Sequence, residues 1–351
     1  MYLCPAFHLL QRMNRILMLT TLIYLGLSAC QPQQELTLVK FQGEAQGTYY
    51  AITYYDREGR NFQTEIDSFL LAFDQVASVY VPTSQISRIN SNDTTVVPDA
   101  MLTEIFERAQ GFSESCMGTF DITVMPLVNA WGFGFRHQQM PDSAQVDSML
   151  QYIGYQKVRM ENGRIIKDHP NIMLDLNAIA QGYSVDQVGK WLEGKGIEHY
   201  LVDIGGEVLA RGAKPDGSLW KVGIERPSAD PTAERQLDTI VVLRDKALAT
   251  SGNYRKFYER GGMKYSHTID PRSGYPVTHN LLSVSVLADD ATTADAYATA
   301  FMVAGTAAVK NFLETHPGLE VYMIYSDKDG SYQTWASPGF EAYLQKQESA
   351  E

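Results

Sequence analysis

Cysteine is scarce in this chain of 351 residues, which contains three. Cys4 and Cys30 lie near the N-terminus, so Cys116 is the only cysteine in the rest of the chain. Beyond residue 30 this excludes an intramolecular disulfide and a thiolate metal cluster, because each needs at least two cysteines. We expect Cys116 to be a small buried residue.

Basic residues are outnumbered, with 29 Lys and Arg against 41 Asp and Glu and a formal net charge of −12. This acidic balance argues against a nucleic acid partner, because a phosphate backbone attracts basic surfaces. Long apolar runs are also lacking after residue 30, so no later segment is expected to cross a bilayer. Between the two ends the sequence shows neither internal repeats nor low-complexity blocks.

The N-terminus has the pattern of a processed targeting segment. Two arginines precede an apolar run at 16–27, and small residues then precede Cys30. This order is typical of a bacterial lipobox, so we expect residues 1–29 to be a lipoprotein signal peptide and Cys30 to carry the lipid. The alternative is an uncleaved anchor, which the run disfavours because a membrane span needs ~20 residues. Residues 30–38 would then form a lipidated tether that holds the protein at the bacterial cell envelope.

Residues 39–344 alternate strand and helix patterns and are expected to form one domain, followed by a tail at 345–351. Apolar alternation predicts strands, and apolar spacing of 3.6 residues predicts helices. Strands are predicted within 39–55 and at 171–176, 199–204, 208–211, 220–225, 239–244, 247–250, 281–287 and 321–325; helices at 61–73, 101–113, 178–193, 289–304 and 306–315; and a loop at 80–90. Gly205-Gly206 is interpreted as a bulge or as a close backbone approach to a ligand. This order favours an α+β fold with mixed, largely antiparallel sheets over a doubly wound sheet.

Two distant segments together indicate a site for a hard cation and a phosphate. Asp295 and Thr299 are four residues apart, so on a helix a carboxylate and a hydroxyl share one face. Asp175 ends an apolar run just before a predicted helix, and such corners often bind anions and other ligands. A ligand set made only of oxygen favours Mg²⁺ over zinc.

Eight short blocks follow one another along the chain. They are Gln46-Gly-Thr48, Tyr80 with 84–90, Gly118-Thr-Phe-Asp121 with 122–134, 175–183, Asp203-Ile-Gly-Gly206, 249–253, 266–274 and 294–299. In this order they resemble the ApbE family of FAD:protein FMN transferases, and the resemblance covers about residues 45–305. It implies an ApbE-like (T-fold-like) α+β architecture.

The resemblance implies a phosphoryl transfer in which the enzyme mainly positions groups and neutralises charge. A Mg²⁺ ion, with Mn²⁺ as the alternative cation, would bind the pyrophosphate of the substrate FAD and promote attack by a threonine hydroxyl of a target protein. The products would be AMP and a protein that carries FMN through a phosphoester. The implied partner is a threonine-bearing acceptor protein of a membrane redox complex, which suits a lipid-anchored enzyme that faces the periplasm.

The resemblance also implies roles for individual residues. Asp295 and Thr299 match metal ligands, and Ala178 matches a position that offers its backbone carbonyl to the metal. Positions that match flavin-nucleotide contacts are Gln46, Tyr80, Thr119, Phe120, Asp121, Asp175, Gln181 and Ile269. Ser251 belongs to a Ser-Gly-Asn loop whose N–H groups can approach phosphate, with Arg255 as a counter-charge. The chain departs from many members at Gln46, at Gln181 and at Ala298, where some members carry an acidic residue.

His267 is the candidate catalytic base, since a neutral imidazole can accept the proton of the incoming threonine hydroxyl. The alternative is a structural role, in which His267 orders the Asp270-Pro271 turn. For Thr299 the corresponding alternative is a helix threonine that bonds to its own backbone.

Two other functions stay open: an FAD pyrophosphatase that yields FMN and AMP, and a non-catalytic FAD-binding lipoprotein.

Overall fold

The computed structural model describes residues 35–134, 140–228, 234–253, 257–260 and 263–345. The predicted signal peptide, Cys30 and Arg255 lie outside these residues. Within them an eight-stranded sheet carries helices, and every strand pair is antiparallel. The α+β prediction is therefore confirmed.

The described strands are β1 (Thr37–Ala45), β2 (Thr48–Asp56), β3 (Val158–Glu161), β4 (Arg164–Lys167), β5 (Tyr200–Ile204), β6 (Glu207–Arg211), β7 (Trp220–Glu225), β8 (Leu237–Leu243), β9 (Lys246–Gly252), β10 (Phe257–Arg260), β11 (Met263–Ser266), β12 (Leu281–Ala288), β13 (Glu320–Ser326) and β14 (Tyr332–Ala336). The sheet has the strand order β1-β2-β5-β6-β9-β12-β13-β14, and three two-stranded ribbons, β3-β4, β7-β8 and β10-β11, accompany it.

The described helices are α1 (Gln63–Ala77), α2 (Gln85–Asn90), α3 (Ala100–Ser115), α4 (Met125–Ala130), α5 (Ser143–Leu150), α6 (Ala180–Gly194), α7 (Ala291–Ala304) and α8 (Thr306–Leu313). Short 3-10 turns lie at Tyr155–Lys157 and Phe340–Tyr343. None of the helices in the described ranges is long and apolar enough to cross a membrane. Cys116, which follows α3, is a buried free thiol as expected.

The main core lies between one face of the sheet and the helices. Tyr50 and Ile52 of β2 and Val202 of β5 point into it, as do most side chains of α7. The opposite face carries a smaller core built by the β7-β8 ribbon, where Trp220 and Val241 are buried. Strand residues alternate between the two cores because successive side chains of a strand point to opposite faces.

Helices α6 and α7 pack unusually closely because small residues face each other. A Cβ atom on Gly182 would lie 2.3 Å from the carbonyl oxygen of Ala291, so only glycine is tolerated there. Asp186 of α6 accepts hydrogen bonds from Ala291 N (2.7 Å) and Thr292 N (2.9 Å) at the start of α7. These contacts satisfy N–H groups that a helix end leaves without partners, and they fix α7 against α6.

The Gly205-Gly206 interpretation as a bulge is wrong. Ile204 pairs with Glu207, so the two glycines form a two-residue hairpin turn, and β6 runs back along β5 rather than continuing it. Both glycines have positive φ (69° and 107°), which is what this tight turn requires.

Two other local predictions are also wrong. Residues 80–90 are not a loop throughout, since Ser84 caps the short helix α2 by accepting from Ser87 N at 3.1 Å. The run 171–176 forms only one isolated bridge, between Met173 and Val124. The side chain of Asn90 accepts a hydrogen bond from the N–H of Leu174 (2.7 Å) and donates one to the Leu174 carbonyl (2.8 Å). The backbone of Leu174 is therefore satisfied without a strand partner.

The described structure extends slightly beyond both ends of the predicted domain at 39–344. β1 begins at Thr37, inside the predicted tether at 30–38. At the other end, Gln345 N donates to Ile240 O at 2.9 Å, although this residue was assigned to the tail. Helix α6 begins at Ala180, two residues later than predicted.

Candidate active site

One of the first N–H groups of helix α6 is satisfied by a residue of α7. The first N–H groups of a helix have no acceptor within the helix, and that of Gly182 donates to Oδ2 of Asp295 at 3.0 Å. Ala178 lies two residues before the first residue of α6. The structure thus brings the predicted ligand Asp295 to the segment that contains the predicted ligand Ala178.

Asp295 is buried, with 6% of its surface exposed. Burial raises its pKa to about 7, because a charged carboxylate loses solvation inside the protein. Thr299 lies one turn further along α7, and its hydroxyl is 3.5 Å from the hydroxyl of Ser251 at the end of β9. This contact connects Thr299 to another predicted site residue rather than to its own helix backbone.

Glu207 is a residue of this region that the sequence analysis missed. It is the first residue of β6 and is 8% exposed. Burial raises its pKa strongly, and the carboxylate of Asp295 raises it further. The sequence feature that could have indicated Glu207 as a site residue is its position directly after the Asp203-Ile-Gly-Gly206 block.

The glutamines Gln46 and Gln181 lie at the same end of the sheet. A Cβ atom on Gly205 would lie 2.6 Å from Nε2 of Gln181 and 2.9 Å from Cγ2 of Thr48, so the β5-β6 turn contacts both α6 and the β1-β2 turn. Gln46 has a left-handed backbone (φ 54°) in that turn. Both polar atoms of its side-chain amide are buried without a hydrogen-bond partner, as expected for a group that meets a ligand.

Asp175 starts the segment that leads into α6. It is buried, which raises its pKa, and its Oδ1 accepts from Asn177 N at 2.9 Å. Its own N–H donates to Ile122 O at 2.7 Å, so this segment lies against the 118–124 block. Tyr80 is 62% exposed, and its pKa is raised by partial desolvation and by the Asp175 carboxylate.

Hydrogen bonds to neighbouring residues hold the 119–121 block in place. Asp121 is buried, which raises its pKa, and it accepts from Thr123 N (2.8 Å) and Tyr155 N (2.7 Å). The hydroxyl of Thr119 donates to Cys116 O at 3.1 Å. Phe120 is 2% exposed in the main core, so its backbone rather than its ring is the part that can meet a ligand.

A cavity of about 250 Å³ joins this block to the turn that follows Ile269. Residues that line it include Met117, Gly118, Asp121, Tyr155, Pro271 and Arg272. Two of the sequence blocks, far apart in the chain, therefore share one concave surface.

His267 precedes a turn that is closed by other residues. Asp270 N donates to Tyr275 O (2.9 Å), and the guanidinium of Arg272 donates to both carboxylate oxygens of Asp270 (2.9 and 2.8 Å). Ile269 packs beside Trp131 in a small separate core, and the His267 ring contacts Phe133 edge to face. The structure thus anchors His267 and Ile269 on this turn, whereas the predicted cation ligands lie just before α6 and on α7.

The donor set around Asp295 fits a magnesium ion. In the described part of the chain no group of three or more His, Cys, Asp or Glu side chains is placed to hold a metal. A cation there would instead use Asp295, the Thr299 hydroxyl, the Ala178 carbonyl and substrate phosphate oxygens, which is a hard set typical of Mg²⁺. The orphaned amide of Gln46 and the perturbed carboxylate of Asp295 agree with a site made for a charged ligand.

The fold and this arrangement define an enzyme of the α+β class whose site gathers carboxylates, hydroxyls and a helix start. The ApbE family model matches residues 46–323. The chain belongs to the ApbE family, which confirms the resemblance drawn from the sequence blocks.

Related proteins match almost the whole chain. The FAD:protein FMN transferase of Vibrio cholerae is 36% identical over 331 residues, which cover 91% of this chain and 96% of that protein. The enzyme of the same name from Escherichia coli K12 is 35% identical and covers 86% and 88%.

Solved structures show the same fold. The flavin transferase ApbE from V. cholerae superposes with a TM-score of 0.78 at 34% identity and covers 88% of this chain and 100% of that one. The flavinyl transferase ApbE of Pseudomonas stutzeri in its apo form has a TM-score of 0.79 at 30% identity and covers 90% and 99%. The ApbE-like architecture is therefore confirmed.

Proposed function

We propose that this protein transfers FMN from FAD to a threonine hydroxyl of an acceptor protein and releases AMP, with Mg²⁺ as the required cation. The observation that carries the proposal is the hydrogen bond from Gly182 N–H to Asp295. It places the Asp295 carboxylate at the start of α6, at a residue four positions after Ala178, where the helix dipole favours negatively charged groups. The names of the related enzymes supply the substrate pair.

Asp295, Thr299 and the Ala178 carbonyl would hold the cation, and a bound Mg²⁺ would neutralise the charge of the FAD pyrophosphate. Ser251 lies beside Thr299 at 3.5 Å and can direct its hydroxyl to a phosphate oxygen. We assign the nucleotide to the surface formed by Tyr80, Thr119–Asp121, Asp175 and Ile269, with Gln46 and Gln181 between that surface and the cation.

In the transfer the threonine oxygen forms a bond to the phosphorus on the flavin side of the pyrophosphate. The bond from that phosphorus to the bridging oxygen breaks, and AMP leaves with the electron pair. We assign the threonine proton to the imidazole of His267. This assignment is favoured over a turn-ordering role because Asp270 and Arg272 already close the turn.

The location of the protein is proposed from the N-terminal sequence. We infer that residues 1–29 are removed, that Cys30 is lipidated, and that the domain faces the periplasm at the cell envelope. This placement would give the enzyme access to a threonine-bearing subunit of a membrane redox complex.

The proposal is tested by incubating full-length protein with FAD, Mg²⁺ and an acceptor domain, followed by mass spectrometry of the acceptor and chromatography of the nucleotides. We expect the acceptor to gain the mass of one phosphoester-linked FMN, with AMP released in equal amount. A control acceptor with the threonine changed to alanine should stay unmodified. Free FMN and AMP with an unmodified acceptor would instead indicate a pyrophosphatase, and intact FAD a binding protein.

A further inference from the structure

Glu207 lies on the same face of the sheet as the cation ligands. It is followed by Val208, which enters the smaller core, and then by Leu209, which enters the main core under the helices. Because side chains of a strand alternate, Glu207 and Leu209 point to the same face, towards α6 and α7. The turn that precedes Glu207 meets α6 at Gln181, since a Cβ atom on Gly205 would lie 2.6 Å from Nε2 of that residue. The next residue of α6, Gly182, donates its N–H to Asp295, so Glu207 and Asp295 lie in the same region. The pKa of Glu207, which the Asp295 charge raises, agrees with this placement.

A structural role for the Glu207 carboxylate is not apparent in the described part of the chain. Its Oε2 is buried and has no hydrogen-bond partner, and none of the ion pairs found there includes Glu207. A buried carboxylate oxygen without a partner is costly, and a second carboxylate nearby makes it more so. By contrast, Asp203 on the same hairpin accepts bonds from Gly206 N (3.0 Å) and the hydroxyl of Tyr49 (3.3 Å).

A hydrated divalent cation would account for the unpaired oxygen. Mg²⁺ usually keeps several of its waters, and these waters need acceptors in the wall of the site. Carboxylates that accept from groups bound to a metal tune the affinity of the site without being ligands themselves. Glu207 has one free acceptor, burial and proximity to Asp295, as such a role requires.

We propose that Glu207 is a further residue of the cation site, where its carboxylate accepts a hydrogen bond from cation-bound water and adds the second negative charge beside Asp295. The inference rests on the proposed function, since it assumes that a divalent cation binds at Asp295 and Thr299. It assigns Glu207 to positioning the hydrated cation and not to contact with the acceptor.

The test is the Mg²⁺ concentration that half-saturates FAD binding to the full-length protein, measured by flavin fluorescence. Glu207→Gln keeps the shape of the side chain and removes its charge. We expect the half-saturating Mg²⁺ concentration to rise about 10- to 100-fold, which is the usual effect of losing such a partner. Metal-free FAD binding should stay equal, because the substitution keeps the shape of the side chain and burial already disfavours its charged form when no cation is bound. The matched control is Asp203→Asn on the opposite face of the same hairpin, which should change the value less than threefold.

A second measurement separates this role from a structural one. In EDTA at pH 8, Glu207→Gln should unfold at a higher temperature than the wild type, because it removes a buried carboxyl group whose charged form is disfavoured by burial and by Asp295. Glu207→Asp, which restores the charge, should recover most of the Mg²⁺ affinity. A lower unfolding temperature for Glu207→Gln in EDTA, or an unchanged Mg²⁺ requirement, would overturn the inference about Glu207 alone. FAD binding by the wild type that does not respond to Mg²⁺ would overturn the proposed cation site as well.

Discussion

Replacing Asp295 by asparagine should abolish transfer and yet stabilise the metal-free protein. The asparagine oxygen can still accept the bond from Gly182 N, so the crossing of α6 and α7 is kept while the charge is lost. The wild-type carboxylate is a cation ligand in our account, and its position is costly when no cation is bound. The same substitution therefore has opposite effects on activity and on stability.

The magnitude follows from the pKa of Asp295, which burial raises from 3.8 to about 7. One pKa unit corresponds to 1.36 kcal/mol, so the ionised carboxylate costs about 4 kcal/mol above pH 7. Between pH 4 and pH 7 the folded state holds a proton that the unfolded state has released. Stability in the absence of metal should therefore fall as the pH rises through this window and then level off.

The assay is urea unfolding of the full-length protein in EDTA at pH 5 and pH 8. We expect the stability difference between Asp295→Asn and the wild type to grow by about 3 kcal/mol between these values, in favour of the variant. Mg²⁺ at pH 8 should stabilise the wild type and have little effect on the variant. The exposed Asp289→Asn serves as the control and should show neither effect. A variant that is less stable than the wild type in EDTA at pH 8 would refute the reasoning.

Three further changes test other parts of the account. His267→Ala should slow the chemical step by about 10²- to 10⁴-fold in single-turnover assays while FAD binding is kept. The control His169→Ala, at a surface histidine, should leave the rate unchanged. Loss of FAD binding in His267→Ala would contradict the assignment of His267 as the base. Asp186→Ala leaves the N–H groups of Ala291 and Thr292 without their acceptor, so urea unfolding should show a loss of at least about 1–3 kcal/mol, and an unchanged midpoint would contradict the helix contact described above. Cys30→Ser should move the protein from the membrane fraction to the soluble fraction, as judged by fractionation and immunoblotting; a variant that stays with the membrane would contradict lipidation at Cys30.

Much of the fold could be predicted because its signals are local. Alternation of apolar residues indicated the strands of the large sheet, and apolar spacing indicated a helix at 289–304, where the structure has α7. The run at 171–176 misled the prediction because its apolar residues are buried as in a strand. Its backbone bonds go to the Asn90 side chain and to Ile122, which lie far away in the chain.

The candidate site could be predicted only where residue types and their spacing along the chain indicate a chemistry by themselves. Asp295 and Thr299 share a helix face by spacing alone, and the contact between Thr299 and Ser251 agrees with that prediction. Glu207 was missed because an acidic residue at the start of a strand is ordinarily exposed. Its burial depends on the hairpin turn at Gly205-Gly206, and its effect depends on Asp295 from a helix 88 positions later in the chain.

The most direct test of the central claim follows the two phosphates of FAD separately. FAD is labelled with radioactive phosphorus either on the flavin side or on the adenosine side of the pyrophosphate and is incubated with full-length protein, Mg²⁺ and the acceptor. We predict that only the flavin-side label becomes bound to the acceptor threonine and that the adenosine-side label appears in AMP in equal amount. Flavin-side label recovered entirely as free FMN, or adenosine-side label on the acceptor, would contradict the account.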